Sequence, residues 1–336
     1  MININLLSCS KAPFYPNWNK KRYPEDKYNI CFNSSEDLDW DCVVVCQDVP
    51  ETKMFKCRQG NVIYVSGEPP LMFPCPKSFT KQFDFILVSD PSVKHPNRLL
   101  HHGFLSWKLG LGYKSKQHRY DYDALANLEP KKTKLISLVS SNLMMMPGHN
   151  KRMSIIEKLK NDYPNEIDIF GRGFEFVDYK ADALLPYRFH ICIENSSIPY
   201  YWTEKISDPI LAQCVPIYSG CTDISNYFGY DGYFTFDVNN YDSLKIIIDR
   251  IIKNPDEEYN QKKEALENMR HVLMEKENII PYCVEYVQSH PKNAIKEYTI
   301  KRLSDNSEYA WQFFIIRAKR FAYNSYFRLK NSLFSK

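Results

Sequence analysis

Short runs of apolar, β-branched residues recur through the first three quarters of the chain, and helical patterns lie between the later ones. The runs cover 41–46, 61–65, 83–89, 134–139, 166–170, 188–193 and 214–218. Because they are short and mostly do not alternate apolar with polar residues, they are typical of strands buried on both faces of a parallel sheet. Strands that alternate with helices predict an α/β fold with parallel sheets.

Two segments carry apolar residues at helical spacing. Asn150 is a candidate N-cap for a helix that has Met153, Ile156 and Leu159 on one side and stops before Pro164. The second segment has an apolar stripe made of Leu244, Ile247, Ile248, Ile251 and Ile252. Both patterns predict helices with one buried face.

The length of the chain, 336 residues, favours two domains over one. The segment 114–133 is polar, charged and poor in strand-like patterns, so we interpret it as the linker between them. The predicted domains are Rossmann-like units at 1–120 and 131–285, followed by a helical, basic and aromatic tail at 286–336.

Charge and apolar content exclude two broad classes of protein. The net charge of +4 is too mild for a dedicated nucleic-acid binder, and no stretch approaches the roughly 18 consecutive apolar residues of a membrane span. The N-terminus lacks the apolar region and cleavage site of a signal peptide. The ten cysteines are scattered, several of them inside apolar runs, which favours reduced and buried thiols. These features predict a cytoplasmic protein.

The most informative stretch joins a buried strand to a turn-rich loop and a capped helix. The strand at 188–193 ends in Glu194, and Thr203 can cap a helix that begins with Glu204 and Lys205. Ligands of α/β sheets bind beyond the carboxyl ends of strands, often at a helix N-terminus. That positive helix end and Lys205 suit a diphosphate, and Glu204 suits the hydroxyls of a sugar or ribose. An ordinary strand-loop-helix unit is the alternative.

The order of residues in this stretch resembles a family signature. Glu-Asn-Ser at 194–196, Tyr-x-Thr-Glu-Lys at 201–205 and Val-Pro-Ile-Tyr-x-Gly at 215–220 resemble the donor-binding signature of the α-1,3/1,4-fucosyltransferases, glycosyltransferase family ten, in their bacterial form. The resemblance extends over 134–240 and is weak over 1–113. It implies a GT-B architecture, two Rossmann-like domains facing across a cleft, and an inverting enzyme that uses GDP-fucose.

The same resemblance assigns roles to single residues. The predicted donor-binding set is Arg152, Glu194, Asn195, Tyr201, Thr203, Glu204 and Lys205. Four of these fall on the family's nucleotide-sugar contacts, namely Asn195, Tyr201, Glu204 and Lys205. Arg152 falls on the phosphate-contacting arginine, a role that its planar fork of donors suits, and a solvated arginine in a first helical turn is the alternative. Trp202 stands where the family more often has a small aliphatic residue, a difference that can reshape the pocket.

A carboxylate in the N-terminal half is the candidate catalytic base. The segment 66–70 reads Ser-Gly-Glu-Pro-Pro and follows the run at 61–65. The fucosyltransferases resemble this segment with a Glu followed by Ser or Pro, which implies that Glu68 is the general base. An inverting transfer needs one base to take the proton of the acceptor hydroxyl. A plain surface turn is the alternative.

Two acidic pairs match the Asp-x-Asp pattern of metal-dependent transferases. They are Asp39-x-Asp41 and Asp121-x-Asp123, the second of which lies in the predicted linker. Pairs of this kind arise easily by chance, so we interpret both as solvated acids and assign no metal ligand.

The acceptor side has weaker candidates in a histidine pair and a tryptophan. His101, His102 and Trp107 are predicted to line it, and a loop histidine pair with no binding role is the alternative.

The tail at 311–336 has six Lys or Arg residues, no Asp or Glu, and many aromatic residues. A basic segment with aromatics suits the surface of an anionic bilayer, and bacterial members of the family resemble it in ending with basic, amphipathic tails. The tail therefore predicts peripheral binding at the inner face of the membrane. A helix packed back on the two domains is the alternative, mainly for 311–316, where charge is absent.

These observations and the resemblance predict an inverting fucosyltransferase. It would move fucose from GDP-fucose to a hydroxyl of an acceptor glycan, in α-1,3 or α-1,4 linkage, for a surface polysaccharide or glycolipid. Its partners are the nucleotide sugar and the glycan. We expect no tightly bound cofactor, and a divalent metal would at most stimulate. The alternatives are a transferase that uses another nucleotide sugar, and a sugar-nucleotide-binding protein that has lost catalysis.

Overall fold

The computed structural model describes residues 1–9, 18–69, 72–141, 147–290 and 292–334. Pro70 of the predicted base segment and Lys336 of the tail lie outside the described residues. The chain divides into two compact units. The first is formed by Met1–Leu105 with Met274–Arg317, and the second by Ser106–Leu273 with Ala318–Lys336.

The first unit is built on a parallel sheet. In chain order it begins with β1 (Ile2–Ser8), β2 (Tyr28–Phe32), β3 (Asp39–Trp40), β4 (Cys42–Cys46), β5 (Lys53–Arg58), β6 (Val62–Ser66), α1 (Lys77–Thr80), β7 (Phe85–Val88) and β8 (Arg98–Leu100). The main sheet has the order β2-β1-β4-β6-β7-β8, and each described neighbouring pair is parallel. Within β4, Cys42 and Val44 pack into one apolar cluster and Val43 and Val45 into another. Burial on both faces explains why this strand shows no alternation in sequence.

The second unit is built on another parallel sheet. Its elements are α2 (Tyr122–Ala126), β9 (Lys134–Val139), α3 (Pro147–Asp162), β10 (Ile167–Phe170), a 3-10 helix (Lys180–Ala183), β11 (Tyr187–Ile193), α4 (Glu204–Leu211), β12 (Val215–Ser219), α5 (Ser225–Phe228), β13 (Phe234–Thr235), α6 (Tyr241–Lys253), α7 (Pro255–Asn260) and α8 (Lys263–Glu275). The sheet order is β10-β9-β11-β12-β13, and its described pairs are again parallel. The carboxyl ends of these strands therefore lie at one edge.

After α8 the chain returns to the first unit through α9 (Ile279–Ser289), β14 (Ile295–Ile300) and the beginning of α10 (Ser307–Phe334). Apolar residues of α9 pack into the same cluster as Cys42, and β14 pairs antiparallel with β5. The sequence instead predicts a donor domain at 131–285 and a helical tail at 286–336. The prediction differs from the structure because the apolar face of α9 packs in the core of the first unit and β14 pairs with β5 of that unit.

The predicted linker at 114–133 also differs from the structure, which places it inside the second unit. It contains α2, and Arg270 of α8 donates hydrogen bonds to the main-chain carbonyls of Leu125 and Ala126. These contacts tie the polar segment to the unit that follows it.

The seven apolar runs of the sequence all form strands of the two parallel sheets. The predicted α/β class, with two units that are each built on a parallel sheet, is therefore confirmed. The helix predicted from Asn150 is present and ends before Pro164, but it begins at Pro147, so Asn150 lies within it instead of capping it. Proline suits a first helical position because the N–H it lacks would be unsatisfied there. Each described helix is too short or too polar to serve as a membrane span.

Candidate functional site

A buried carboxylate organises the entrance to α4. Glu194 directly follows β11, and its oxygens accept hydrogen bonds from the main-chain N–H of Thr203 at 2.8 Å and from its hydroxyl at 2.9 Å. The Thr203 hydroxyl oxygen in turn accepts from the main-chain N–H of Lys205, which confirms the predicted helix cap. Glu194 thus fixes the first turn of α4 at the carboxyl edge of the sheet.

The glycine that ends the signature is required by this carboxylate. A Cβ on Gly220 would lie 2.5 Å from Cγ of Glu194 and 2.5 Å from the hydroxyl of Tyr218. The Tyr218 hydroxyl also accepts a hydrogen bond from the N–H of Cys221 at 2.8 Å, so it is held in place. A side chain at position 220 would displace Glu194 from the helix cap.

Lys205 brings a permanent positive charge to the N-terminus of α4. Its Nζ lies 3.1 Å from Oε2 of Glu194 and donates to the Thr203 hydroxyl at 3.2 Å. Burial acts to lower the pKa of Lys205, but Glu194 and Glu204 outweigh burial and raise that pKa above its ordinary value. The ammonium is therefore held charged and oriented before any ligand binds.

Arg152 reaches the same edge from α3, and the structure excludes the solvated alternative because the residue is only 6% exposed. Its Nη1 donates to Oδ1 of Asn195 at 3.0 Å, and its buried Nε has no hydrogen-bond partner among the described residues. Burial lowers the pKa of the guanidinium, although Glu194 counteracts this effect. A buried guanidinium with an unused donor is costly unless an anion completes it.

Glu204 lies at the first position of α4 and forms an ion pair with Lys108 at 3.4 Å. Burial would raise its pKa, but the cations Lys205, Lys108 and Lys180 together hold the pKa well below its ordinary value. The ionised carboxylate is an acceptor only, which suits hydroxyl groups and not phosphate oxygens.

Sequence reasoning missed Lys180, which lies in the 3-10 helix. Its Nζ donates to the main-chain oxygen of Glu204 at 2.9 Å and to Oδ2 of the fully buried Asp208 at 2.7 Å. Asp208 also accepts from the main-chain N–H of Lys108 at 2.8 Å. An ammonium has three donors, so Lys180 keeps one for a ligand. The sequence gave no signal for this pairing, because the two side chains are 28 residues apart.

Three cations, Arg152, Lys180 and Lys205, line one small pocket at the ends of β9 and β11. His190 also lines it, but its Nδ1 lies 2.8 Å from the Ser137 hydroxyl, and burial holds its pKa well below the ordinary value. The donors and positive charge of the three cations suit phosphate oxygens, and the space that they enclose, about 10 Å³, is that of one water molecule.

Tyr201 and Trp202, two of the three aromatic residues in the loop before α4, are buried. The Trp202 ring lies 5.6 Å from that of Tyr227 and 5.3 Å from that of Phe228, measured between centroids. Tyr200, just before Tyr201, has a φ of 59°, and its N–H donates to Asp223. The unusual tryptophan thus packs into an aromatic cluster, and the backbone before Tyr201 is fixed in a turn.

Glu68 lies in the first unit, directly beyond the carboxyl end of β6. The preceding Gly67 meets the loop after β8: a Cβ on Gly67 would lie 2.2 Å from the His102 carbonyl oxygen. A Cβ on Gly103, which has a φ of 78°, would lie 2.3 Å from the Gly67 nitrogen. Two loops thus meet backbone to backbone, which only glycines allow. This contact holds the backbone of Glu68 beside the histidine loop.

The two histidines converge on one carboxylate. Nε2 of His102 lies 2.9 Å from Oε2 of Glu277, and Nε2 of His101 lies 3.4 Å from the same oxygen. Burial, followed by His101, lowers the pKa of His102 to about 3. Burial would raise the pKa of Glu277, but hydrogen bonds from His101 and His102 lower it to about 2. Trp107, the third residue predicted for the acceptor side, belongs to the second unit and is buried.

The acidic pairs have local structural roles. Asp41 is buried and accepts from the N–H of Asn3 at 2.9 Å and from Nε of Arg58 at 2.6 Å, so its interpretation as a solvated acid is wrong. Asp121 caps α2 by accepting from the N–H of Ala124 at 2.8 Å. Both carboxylates therefore stabilise the fold where they lie.

Comparisons with known proteins connect this geometry to a family. The model of glycosyltransferase family 10 (fucosyltransferase), C-terminal, matches residues 129–305, slightly more than half of the chain. The chain is similar to an α1,3-fucosyltransferase solved with GDP, at 16% identity and a TM-score of 0.46, over 86% of this chain and 90% of that one. The structure of an α1,3-fucosyltransferase with GDP-fucose gives 15% identity, a TM-score of 0.45 and coverage of 87% and 92%. Alr3699/HepE of Anabaena, in complex with UDP, gives 8% identity, a TM-score of 0.47 and coverage of 86% and 99%. Structural likenesses of this size do not bear on function.

Proposed function

The chain belongs to glycosyltransferase family 10, the fucosyltransferases, and on this premise we propose that it transfers fucose from GDP-fucose to a hydroxyl of an acceptor glycan. The observation that carries the proposal is the pocket lined by Arg152, Lys180 and Lys205 at the N-terminus of α4. Its cations complement the negatively charged diphosphate of a nucleotide sugar, and the ionised Glu204 beside them suits a sugar or ribose hydroxyl.

The proposed reaction proceeds with inversion in a single displacement. Glu68 takes the proton of the acceptor hydroxyl as the hydroxyl oxygen attacks the anomeric carbon of fucose. The bond from that carbon to the phosphate oxygen breaks, and GDP leaves. Arg152 and Lys205 stabilise the charge that grows on the diphosphate, while Lys180 holds the backbone of Glu204. No covalent intermediate with the protein forms.

The acceptor class follows from the family resemblance and the tail. We propose a glycan of a surface polysaccharide or glycolipid, linked α-1,3 or α-1,4. The basic, aromatic end of α10 would bring the enzyme to the membrane surface where such an acceptor lies.

The donor is tested by calorimetry with GDP, UDP and CMP on the full-length protein, and by a hydrolysis screen across GDP-fucose, GDP-mannose, UDP-sugars and CMP-sugars. We expect GDP to bind more tightly than UDP or CMP, as membership of the fucosyltransferase family implies. GDP should also keep much of the affinity of GDP-fucose, because the cations contact the diphosphate. Tighter binding of UDP than of GDP, together with hydrolysis of a UDP-sugar, would indicate instead a related transferase that uses another nucleotide sugar. Binding of GDP-fucose without hydrolysis or transfer to any glycan would indicate a protein that has lost catalysis.

A further inference from the structure

Glu277 is a largely buried carboxylate with an unusual set of neighbours. Its side chain is 16% exposed, and its ion-pair contacts within the described residues are the imidazoles of His101 and His102. No Lys or Arg nitrogen of the described residues lies within 4.0 Å of the Glu277 carboxylate oxygens. The other ion-paired carboxylates of low exposure contact a permanent cation, as Glu194 contacts Lys205 and Asp208 contacts Lys180.

A buried negative charge without a cation is costly, and proteins compensate it by pairing or by metal coordination. Imidazole and carboxylate are both metal-ligating groups, and here Nε2 of the buried His102 lies 2.9 Å from Oε2 of Glu277.

We propose that His101, His102 and Glu277 form a binding site for a divalent transition-metal ion, with Zn²⁺ the best match. The three ligand atoms lie within 4.8 Å of one another. Two imidazoles and one carboxylate are a common set for zinc that keeps an open coordination position.

Two of the three distances between the ligand atoms are close to those of a tetrahedral metal site. Bond lengths of roughly 2.0–2.1 Å in a tetrahedral site put ligand atoms about 3.3 Å apart, and the His101 and His102 nitrogens lie 3.4 and 2.9 Å from the Glu277 oxygen. Binding through Nε2 requires the proton of each of the two imidazoles to move from Nε2 to Nδ1. The long 3.4 Å contact in which His101 Nδ1 accepts from the Gly103 N–H is then given up.

The ion would lie at the loop of His102 and Gly103, which packs against Gly67. Gly67 directly precedes Glu68 in the sequence. The open position of the ion would take water or a hydroxyl oxygen, and a sugar acceptor supplies such hydroxyls. This use of the ion rests on the proposed function, whereas binding of the ion does not.

The test is a titration of the full-length, chelator-treated protein with Co²⁺, followed by visible absorption, and then competition by Zn²⁺. We expect one equivalent of Co²⁺ with the d–d bands of a nitrogen and oxygen site, displaced by Zn²⁺. Glu277→Gln and His101→Asn should each weaken Co²⁺ binding at least tenfold. The control His271→Asn changes an exposed histidine of α8 and should bind as the wild type does.

The titration separates this site from other sources of binding. A thiolate-to-cobalt charge-transfer band would place the ion on a cysteine, such as the exposed Cys9, and would overturn the proposal. Equal affinity in the wild type and Glu277→Gln, or no binding, would also overturn it. Because Co²⁺ binding is read without a sugar donor, failure of fucose transfer would refute the proposed function and leave this result intact.

Discussion

The carboxyl edges of the two parallel sheets carry opposite chemistry. The edge in the second unit gathers Arg152, Lys180 and Lys205 around one pocket, and Glu194 and Asp208 hold two of these cations. The edge in the first unit carries the carboxylates of Glu68 and Glu277 with two histidines. Under the proposed function, the same type of sheet edge would serve two tasks. Fixed cations suit a diphosphate, and a carboxylate can accept the proton of an acceptor hydroxyl.

Loss of the Glu68 carboxylate should have the largest effect on transfer. Glu68→Gln should lower the turnover number of fucose transfer by about 10²–10⁴-fold, the usual loss when a general base is removed. GDP affinity, measured by calorimetry, should not change because the cations are in the second unit. Glu51→Gln, a change to an exposed acid of the same unit, is the control. An unchanged turnover number in Glu68→Gln would leave the base to be sought elsewhere.

The second test removes single cations from the pocket. Arg152→Ala and Lys205→Ala should each weaken GDP binding by roughly 1.5–3 kcal/mol, about 10- to 150-fold, as expected for charge-assisted hydrogen bonds. Lys151→Ala, next to Arg152 but on the exposed face of α3, should bind GDP normally. If both pocket variants bind GDP and transfer fucose like the wild type, the donor lies elsewhere.

Lys180 should have a smaller effect on GDP binding than Arg152 and Lys205. Lys180→Met should lower GDP affinity by about 1 kcal/mol, the value of one net hydrogen bond, and should lower the melting temperature because buried Asp208 loses its cation. The double variant Lys180→Met/Asp208→Asn removes both charges, so it should recover stability without recovering GDP affinity. Recovery of both would reduce Lys180 to a structural role.

The smallest expected effect on transfer concerns α10. Trp311, Phe314 and Phe321 are 64%, 63% and 76% exposed on this helix, and basic residues follow them. We expect the full-length protein to co-sediment with anionic vesicles and to be released by salt, since each Lys or Arg contributes about 1 kcal/mol near such a surface. A chain truncated after Ala310 should not sediment, yet should transfer fucose to a soluble acceptor at the wild-type rate.

Phosphatidylcholine vesicles without charge are the control for that experiment. Equal sedimentation of the two chains would contradict a membrane role for the tail. An insoluble truncated chain would favour a helix that packs on the rest of the protein.

Local patterns predicted the fold better than they predicted the site. Burial on both faces leaves a continuous apolar run, so strands such as β4 and β11 are visible in the sequence. The Thr203 cap is also local and was predicted correctly. Residue pairs that are far apart in sequence and meet only because of the fold leave no local pattern in the sequence. Lys180 and Asp208 are 28 residues apart, and His102 and Glu277 are 175 residues apart.

The division of the chain also decides when each unit can fold during synthesis. The first unit is incomplete until α9 and β14 have been made, although its sheet strands leave the ribosome first. The 168 residues 106–273, which form the body of the second unit, come between them. At 5–20 residues per second, the apolar face that α9 covers stays open for roughly 10–30 s. The second unit can therefore be completed on the ribosome before the first, and the nascent N-terminal half exposes apolar surface for the longer time.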